Sequence, residues 1–280
     1  MAQPPVAPSA EFTKLVVASM RRMYPEEGAD RTWDNVGLLL DNSSAPSQQA
    51  KVLLTNDLTL PVAKDAIQQG ASVIISYHPI IFSGLKAITH NDAQQSTLLL
   101  LARNNVAVYC PHTAVDAGGL NTWLQQVVAG SSHAEMQNDG LTLSFANGPV
   151  PLAEIATRLA SRLGGLKYVM IASPPGTSVE SKTVRSFAVC AGSGYSVIKD
   201  SPAELLVLGE TSHHSALRAI QQGQTVVQVF HSNSERAYLR QVLRSRLEAA
   251  LRETDDKAEV VMSDWDKEPF DIVAVSDLRA

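Results

Sequence analysis

The chain has 280 residues, 45% hydrophobic and 18% charged, with 23 basic against 28 acidic side chains for a net charge of −5. That length predicts one large domain or two medium ones with ample core, and the apolar fraction excludes wholesale disorder. The acidic balance argues against direct nucleic-acid contact, because phosphates need clustered Lys and Arg.

Residues 1–10 are rich in Pro and Ala and read as a disordered tail. They lack the basic and apolar regions of a secretory signal, and the absence of an early Arg counts against a mitochondrial presequence. Helical spacing of Phe12, Leu15, Val16, Met20 and Met23 predicts a helix over 11–24 that Pro25 stops. A polar loop enters a short strand near 37–40, and 43–49 reads as a loop. Strands are predicted over 52–55, 72–76 and 106–110, with helices over 60–69 and 94–104 between them. Gly70 ends the first of these helices as a C′ glycine. Asn121 is placed to cap a helix over 122–128.

A polar stretch, 131–140, follows, then a strand over 141–146, a helix over 152–163 and a strand over 168–172. After a turn-rich loop come a strand over 183–190, a tight Gly192-Ser-Gly194 loop, strands over 203–209 and 225–230, and a helix over 215–222 between them. A long amphipathic helix is predicted over 234–252, with strand-like segments at 259–262 and 270–275.

Strands apolar on both faces that alternate with helices argue for covered, largely parallel sheets. The predicted class is therefore α/β, as two α/β lobes with mixed, largely parallel sheets. The predicted divisions are a tail 1–10, an N-terminal lobe 11–130, a middle segment 131–200 and a C-terminal segment 201–280. Two cysteines, Cys110 and Cys190, are too few for a disulfide framework and read as buried free thiols in a reducing compartment. No apolar run reaches the roughly 18–20 residues of a membrane span.

The polar residues fall where ligands gather in open α/β sheets, beyond the carboxyl ends of strands. Asn56 and Asp57 follow one strand, and Tyr77 and His78 the next. His112 and Asp116 follow the third, Glu210, His213 and His214 another, and His231 and Glu235 the last. His231 and Glu235 are spaced i, i+4, so on a helix beginning at His231 they face the same way and grip one cation. Zn, Mn, Fe and Co accept such a mixed nitrogen and oxygen set. The plainer reading of each residue alone is a surface hydrogen bond or a turn group, and Asp116 precedes two glycines as a turn aspartate would. Their joint placement at strand ends favours the metal reading.

Taken in order, Trp33-Asp-Asn-Val-Gly-Leu38, Ser76-Tyr-His-Pro79, His112-Thr-Ala-Val-Asp116, Gly118-Gly-Leu-Asn121, Gly209-Glu-Thr-Ser-His-His214 and His231-Ser-Asn-Ser-Glu235 resemble the Ngg-one interacting factor three family, also labelled GTP cyclohydrolase I type-two-like proteins. The resemblance spans about residues 11–278. It implies a ring-shaped homohexamer and a dinuclear metal site in the cleft between the lobes, with His78, Asp116, His231 and Glu235 as ligands. Tyr77, His112 and Asp34 would support them. Bacterial relatives carry two adjacent histidines before the proline, whereas Tyr77 is the eukaryotic form. A phenol, with its pKa near ~10, is a poor neutral ligand, so one or two metal ions per chain are expected.

The leading functional expectation is a metal-dependent hydrolase acting on a nucleotide or related small molecule, with Glu210, His213 and His214 as candidates for proton transfer. The alternatives are metal storage or delivery, and a scaffold that binds a transcriptional adaptor. A cytoplasmic location is expected, with nucleus and mitochondrion as alternatives.

Overall fold

The computed structural model describes residues 9–44 and 48–278. The reading of 1–8 as a tail, and of 45–47 as loop, lies outside them. Residues 9 and 10, assigned to that tail from sequence, belong to the fold. Ser9 forms an antiparallel bridge with Ser43, and Ala10 is fully buried, its N–H donating to the Asn42 carbonyl at 3.2 Å.

In chain order the strands are β1 (Gly37–Leu40), β2 (Lys51–Thr55), β3 (Val73–Ser76), β4 (Ala107–Cys110), β5 (Ala134–Met136), β6 (Leu143–Phe145), β7 (Val150–Pro151), β8 (Met170–Ala172), β9 (Thr183–Val184), β10 (Ser186–Cys190), β11 (Leu205–Leu208), β12 (Thr225–Gln228) and β13 (Glu259–Met262). The chain forms two compact units. The first comprises residues up to Gly118 together with Leu239–Lys267, and the second comprises Gly119–Tyr238 and the segment from Glu268 onward.

The first unit carries a five-stranded sheet in the order β1-β4-β3-β2-β13. Strands β13, β2, β3 and β4 run parallel, and β1 closes one edge antiparallel to β4. Every residue of β3 and β4 is buried, which is why their sequences carry apolar residues on both faces. On one face Leu53, Ile74 and Val108 pack with Val62, Ala66, Leu98 and Leu101 from the crossover helices Leu60–Gln68 and Ala93–Arg103. Burying each of these Val, Leu and Ile side chains contributes about 1.5–3 kcal/mol. Gly70 sits at φ +74 just past the first helix, the left-handed position a C′ glycine fills at little cost. Asp92 caps the second helix by accepting from the Gln95 N–H at 2.9 Å.

The second unit holds a six-stranded sheet ordered β5-β6-β10-β11-β12-β8 and a two-stranded sheet, β7-β9. Its centre, β10, β11 and β12, is parallel. Antiparallel strands lie to either side. Ala188, Leu206, Leu208 and Val226 pack with Ile198 and Ala219 in its core.

Several expectations change. The strand predicted over 183–190 divides at Arg185. That residue's N–H donates to the Glu204 carboxylate at 2.9 Å and its carbonyl accepts from Phe145, so β9 pairs with β7 and β10 joins the larger sheet. The polar stretch 131–140 contains β5, an edge strand whose exposed face needs no apolar residues. Residues 270–275 form no strand; among the described residues they pair with nothing in a sheet, and Phe270, Ile272 and Val275 are exposed. Asn121 does not cap its helix. It begins Asn121–Ala129, and its side-chain oxygen instead accepts from the Ala191 N–H at 2.9 Å. The helix predicted over 234–252 is three pieces, Asn233–Tyr238, a π-turn Leu239–Leu243, and Arg244–Arg252.

The unit boundaries also differ from the divisions drawn on sequence. The chain changes unit at Gly119 rather than near 130. Residues 131–200 and 201–238 share one sheet because β10 and β11 pair directly. Residues 239–267 return to the first unit because β13 lies parallel to β2, where Val260 and Val261 cover its open edge.

Candidate metal-binding residues

In the first unit, the loops leaving the carboxyl ends of β2, β3 and β4 bring one group of polar side chains together. Thr55 leads into Asn56 and Asp57, Ser76 into Tyr77 and His78, and Cys110 into Pro111 and a single helical turn, His112–Val115, followed by Asp116. His78 Nδ1 lies 2.8 Å from Asp57 Oδ1. A carboxylate can only accept, so the pair puts the proton of a neutral imidazole on Nδ1 and its lone pair on Nε2, the metal-ligating form. Tyr77 is 1% exposed, and its hydroxyl donates to Asp116 Oδ1 at 2.5 Å. The phenol therefore orients the carboxylate expected to be a ligand. The two glycines after Asp116 let the chain turn here, Gly119 at φ +157.

His112 makes a second pair of the same kind, its Nδ1 lying 2.8 Å from Asp34 Oδ1. The Asp34 carboxylate is shielded from solvent and also accepts from Thr113 through its N–H (3.1 Å) and hydroxyl (2.5 Å). Burial pushes this carboxyl up, but the hydrogen bonds from His112 and Thr113 outweigh it and hold the pKa below the ordinary carboxylate value. The rings of Tyr77, His78 and His112 meet edge to face, with centroids 5.0–5.2 Å apart. Beneath them the Cys110 thiol donates to the Tyr77 carbonyl, and burial raises its pKa well above the ordinary value. It is an inert packed thiol.

In the second unit, the carboxyl ends of β10, β11 and β12 deliver the Gly192 loop, Glu210 and His231. Phe230 adopts φ 71, unusual for a bulky residue and costing about 1–2 kcal/mol, to turn the chain into His231. His231 stands in the turn before helix Asn233–Tyr238 rather than on it. Its Nε2 is nevertheless 3.3 Å from Glu235 Oε1, whose side chain is 2% exposed. Its Nδ1 lies 2.8 Å from Glu210 Oε1, a third carboxylate–imidazole pair. Gly192 packs so closely that an added Cβ would lie 2.7 Å from Glu235 Oε1 and 3.1 Å from His231 Nε2. Its N–H donates to Ser234 Oγ at 2.8 Å, tying the loop to the helix.

The other predicted residues sit apart from this pairing. His213 and His214 are exposed at the start of helix His213–Gln221, where Ser212 caps the helix and the two rings pack on each other at 5.4 Å. Neither hydrogen-bonds Glu210 or His231 among the described residues. Asp57 supports His78, and sequence marks it only by its place two residues past Thr55, because its partner lies 21 residues further along the chain.

The family model described as Duf34/NIF3 (NGG1p interacting factor 3) matches residues 13–269. The chain belongs to this family. Among its relatives, the NIF3 homolog of Schizosaccharomyces pombe is 41% identical over 92% of this chain and 95% of its own length. The NGG1-interacting factor 3 of Saccharomyces cerevisiae is 35% identical over 94% and 97%. The NIF3-like protein 1 of Homo sapiens is 28% identical over 86% and 88%. Solved structures share the NIF3 fold at low identity. A Bacillus cereus protein related to NIF3 has a TM-score of 0.73 at 20% identity, covering 96% of this chain and all of its own. Reduced HcgD from Methanocaldococcus jannaschii has a TM-score of 0.71 at 22% identity, covering 94% and 100%. These confirm the two-lobe mixed α/β fold. Among the described residues no helix is long and apolar enough to cross a membrane.

Proposed function

We propose that this NIF3-family chain binds one or two divalent ions of the Zn, Mn, Fe or Co class through His78 and Asp116 of the first unit and His231 and Glu235 of the second, and that it hydrolyses a nucleotide or related small molecule. The observation that carries the reading is the repeated carboxylate–imidazole pair. Asp57 holds His78 and Glu210 holds His231, each at 2.8 Å, the outer support that metal-ligating histidines ordinarily have. Two imidazoles and two carboxylates form a donor set that borderline cations accept. A bound ion of this class supplies a water whose pKa falls toward ~7.

The chain's own side chains then have distinct tasks. Asp57 and Glu210 fix ring orientation and tautomer, and Tyr77 orients Asp116. Asp34 and Thr113 hold His112 beside His78. Glu210 is engaged with His231, which leaves the exposed His213 and His214, apart from that pair, as the remaining candidates for proton transfer to a bound substrate. The homohexamer implied by the family resemblance belongs to the same proposal. Elemental analysis of protein purified without chelator, joined to a nucleotide and phosphoester screen, tests it. Bound metal with turnover abolished by His231→Ala and by chelator supports the enzyme. Metal that exchanges without turnover replaces it with storage or delivery, and protein without metal rejects it.

A further inference from the structure

Trp33 and Phe82 are each half exposed, unusual for large aromatic side chains that are also neighbours. Their ring centroids are 5.9 Å apart with planes tilted by 38°. Trp33 also stands edge-on to His112, at 5.6 Å and 85°. Isolated exposed apolar residues need no explanation. This pair differs because it is held in place. The Trp33 indole N–H donates to Asp30 Oδ2 at 2.9 Å, and the Asp30 N–H donates to Thr113 Oγ at 3.0 Å. The loop carrying Phe82 is tied back where Asn35 Nδ2 donates to the Ile81 carbonyl at 2.6 Å. Two separate loops thus converge on one aromatic surface, anchored to the residues that hold His112.

We propose that Trp33 and Phe82 form a platform that stacks a planar heteroaromatic ring of a small-molecule ligand beside His112 and His78. This rests on reading that group as part of a substrate site, and names the class of substrate. The π-faces of indole and phenyl suit a flat heterocycle, which stacks in an offset or tilted arrangement. In sequence the pair is flanked by the exposed polar side chains of Arg31, Thr32, Ser83 and Lys86. That fits one ring rather than a protein face, which needs a broader apolar core.

The test uses the full chain as purified, with guanosine and adenosine as probes that carry a heteroaromatic base and ribose 5-phosphate as the control that lacks one. Binding is followed by saturation-transfer NMR and equilibrium dialysis, with metal content measured on the same samples. Both nucleosides should bind, and Trp33→Leu and Phe82→Leu should each weaken them at least about five-fold, while Trp33→Phe retains most of the affinity. Metal content should be unchanged, and any loss of stability from the missing indole N–H bond to Asp30 should be shared by Trp33→Leu and Trp33→Phe, so that it does not account for a difference in binding between them. The inference is overturned if neither nucleoside binds, if both leucine variants bind as wild type, if ribose 5-phosphate binds equally well, or if the variants change only the oligomeric mass. Metal-free protein that still loses nucleoside binding on Trp33→Leu would reject the metal reading while keeping the platform.

Discussion

Replacing Asp34 by Asn is the sharpest single perturbation of the first unit. The carboxylate is shielded from solvent and accepts four hydrogen bonds: His112 Nδ1 and the Asn35 N–H at 2.8 Å each on Oδ1, and the Thr113 N–H (3.1 Å) and hydroxyl (2.5 Å) on Oδ2. An amide keeps the shape but offers one acceptor oxygen, so two of the four donors face an NH₂ group. Hydrogen bonds to a charged group contribute about 1.5–3 kcal/mol each, and leaving a buried donor unmatched costs about 1–3 kcal/mol. Allowing for relaxation, the expected loss is about 3 kcal/mol, or a fall in melting temperature of roughly 6–12 °C. The pH dependence carries its own signature. The folded pKa of Asp34 is held below the unfolded value near ~3.9, so its contribution is full above that value and disappears as pH falls through the folded pKa. The variant should therefore show a flatter stability curve on the acid side. Denaturation followed by circular dichroism from about pH 3 to 7 measures both effects. A variant that melts within about a degree of wild type, with an overlapping pH curve, would refute the reasoning.

Four further outcomes follow from the same geometry. Asp57→Asn and Glu210→Gln should each weaken metal affinity about 10–100-fold without unfolding the chain, measured by competition with a chelating dye. Gly192→Ala places a Cβ 2.7 Å from Glu235 Oε1 at φ +61, and should cost about 1–2 kcal/mol in stability and reduce metal content together. Glu26 accepts from Arg21 (2.8 Å), Arg31 (3.0 Å) and Tyr109 (3.0 Å), and these bonds outweigh burial and lower its pKa. Its stabilisation is present above the unfolded value near ~4.3 and lost as pH falls, so Glu26→Gln should remove about 1 kcal/mol at neutral pH and little in acid, the arginines being half exposed. His213→Ala and His214→Ala should leave metal content unchanged by elemental analysis, since both rings are exposed, and should lower turnover in the nucleotide screen.

What sequence alone determined was local. Runs such as Val52-Leu-Leu-Thr55 and Val73-Ile-Ile-Ser76 are apolar at every position, and only a strand covered on both faces makes use of that. Gly70 marked a helix end because its φ of +74 is a property of one residue. The polar residues at strand ends were legible for the same reason, since each followed directly on its strand. Tertiary structure decided the partners. Asp57 meets His78 across 21 positions, Glu210 meets His231 across 21, and Tyr77 meets Asp116 across 39. It also decided that β13 returns to β2, that residues 183–190 divide between two sheets, and that residues 270–275 stay unpaired. Periodicity records which face of an element is covered but not by what. Which strand edge or carboxylate meets a given residue depends on loops closed over dozens of positions, and no short window of sequence carries that information.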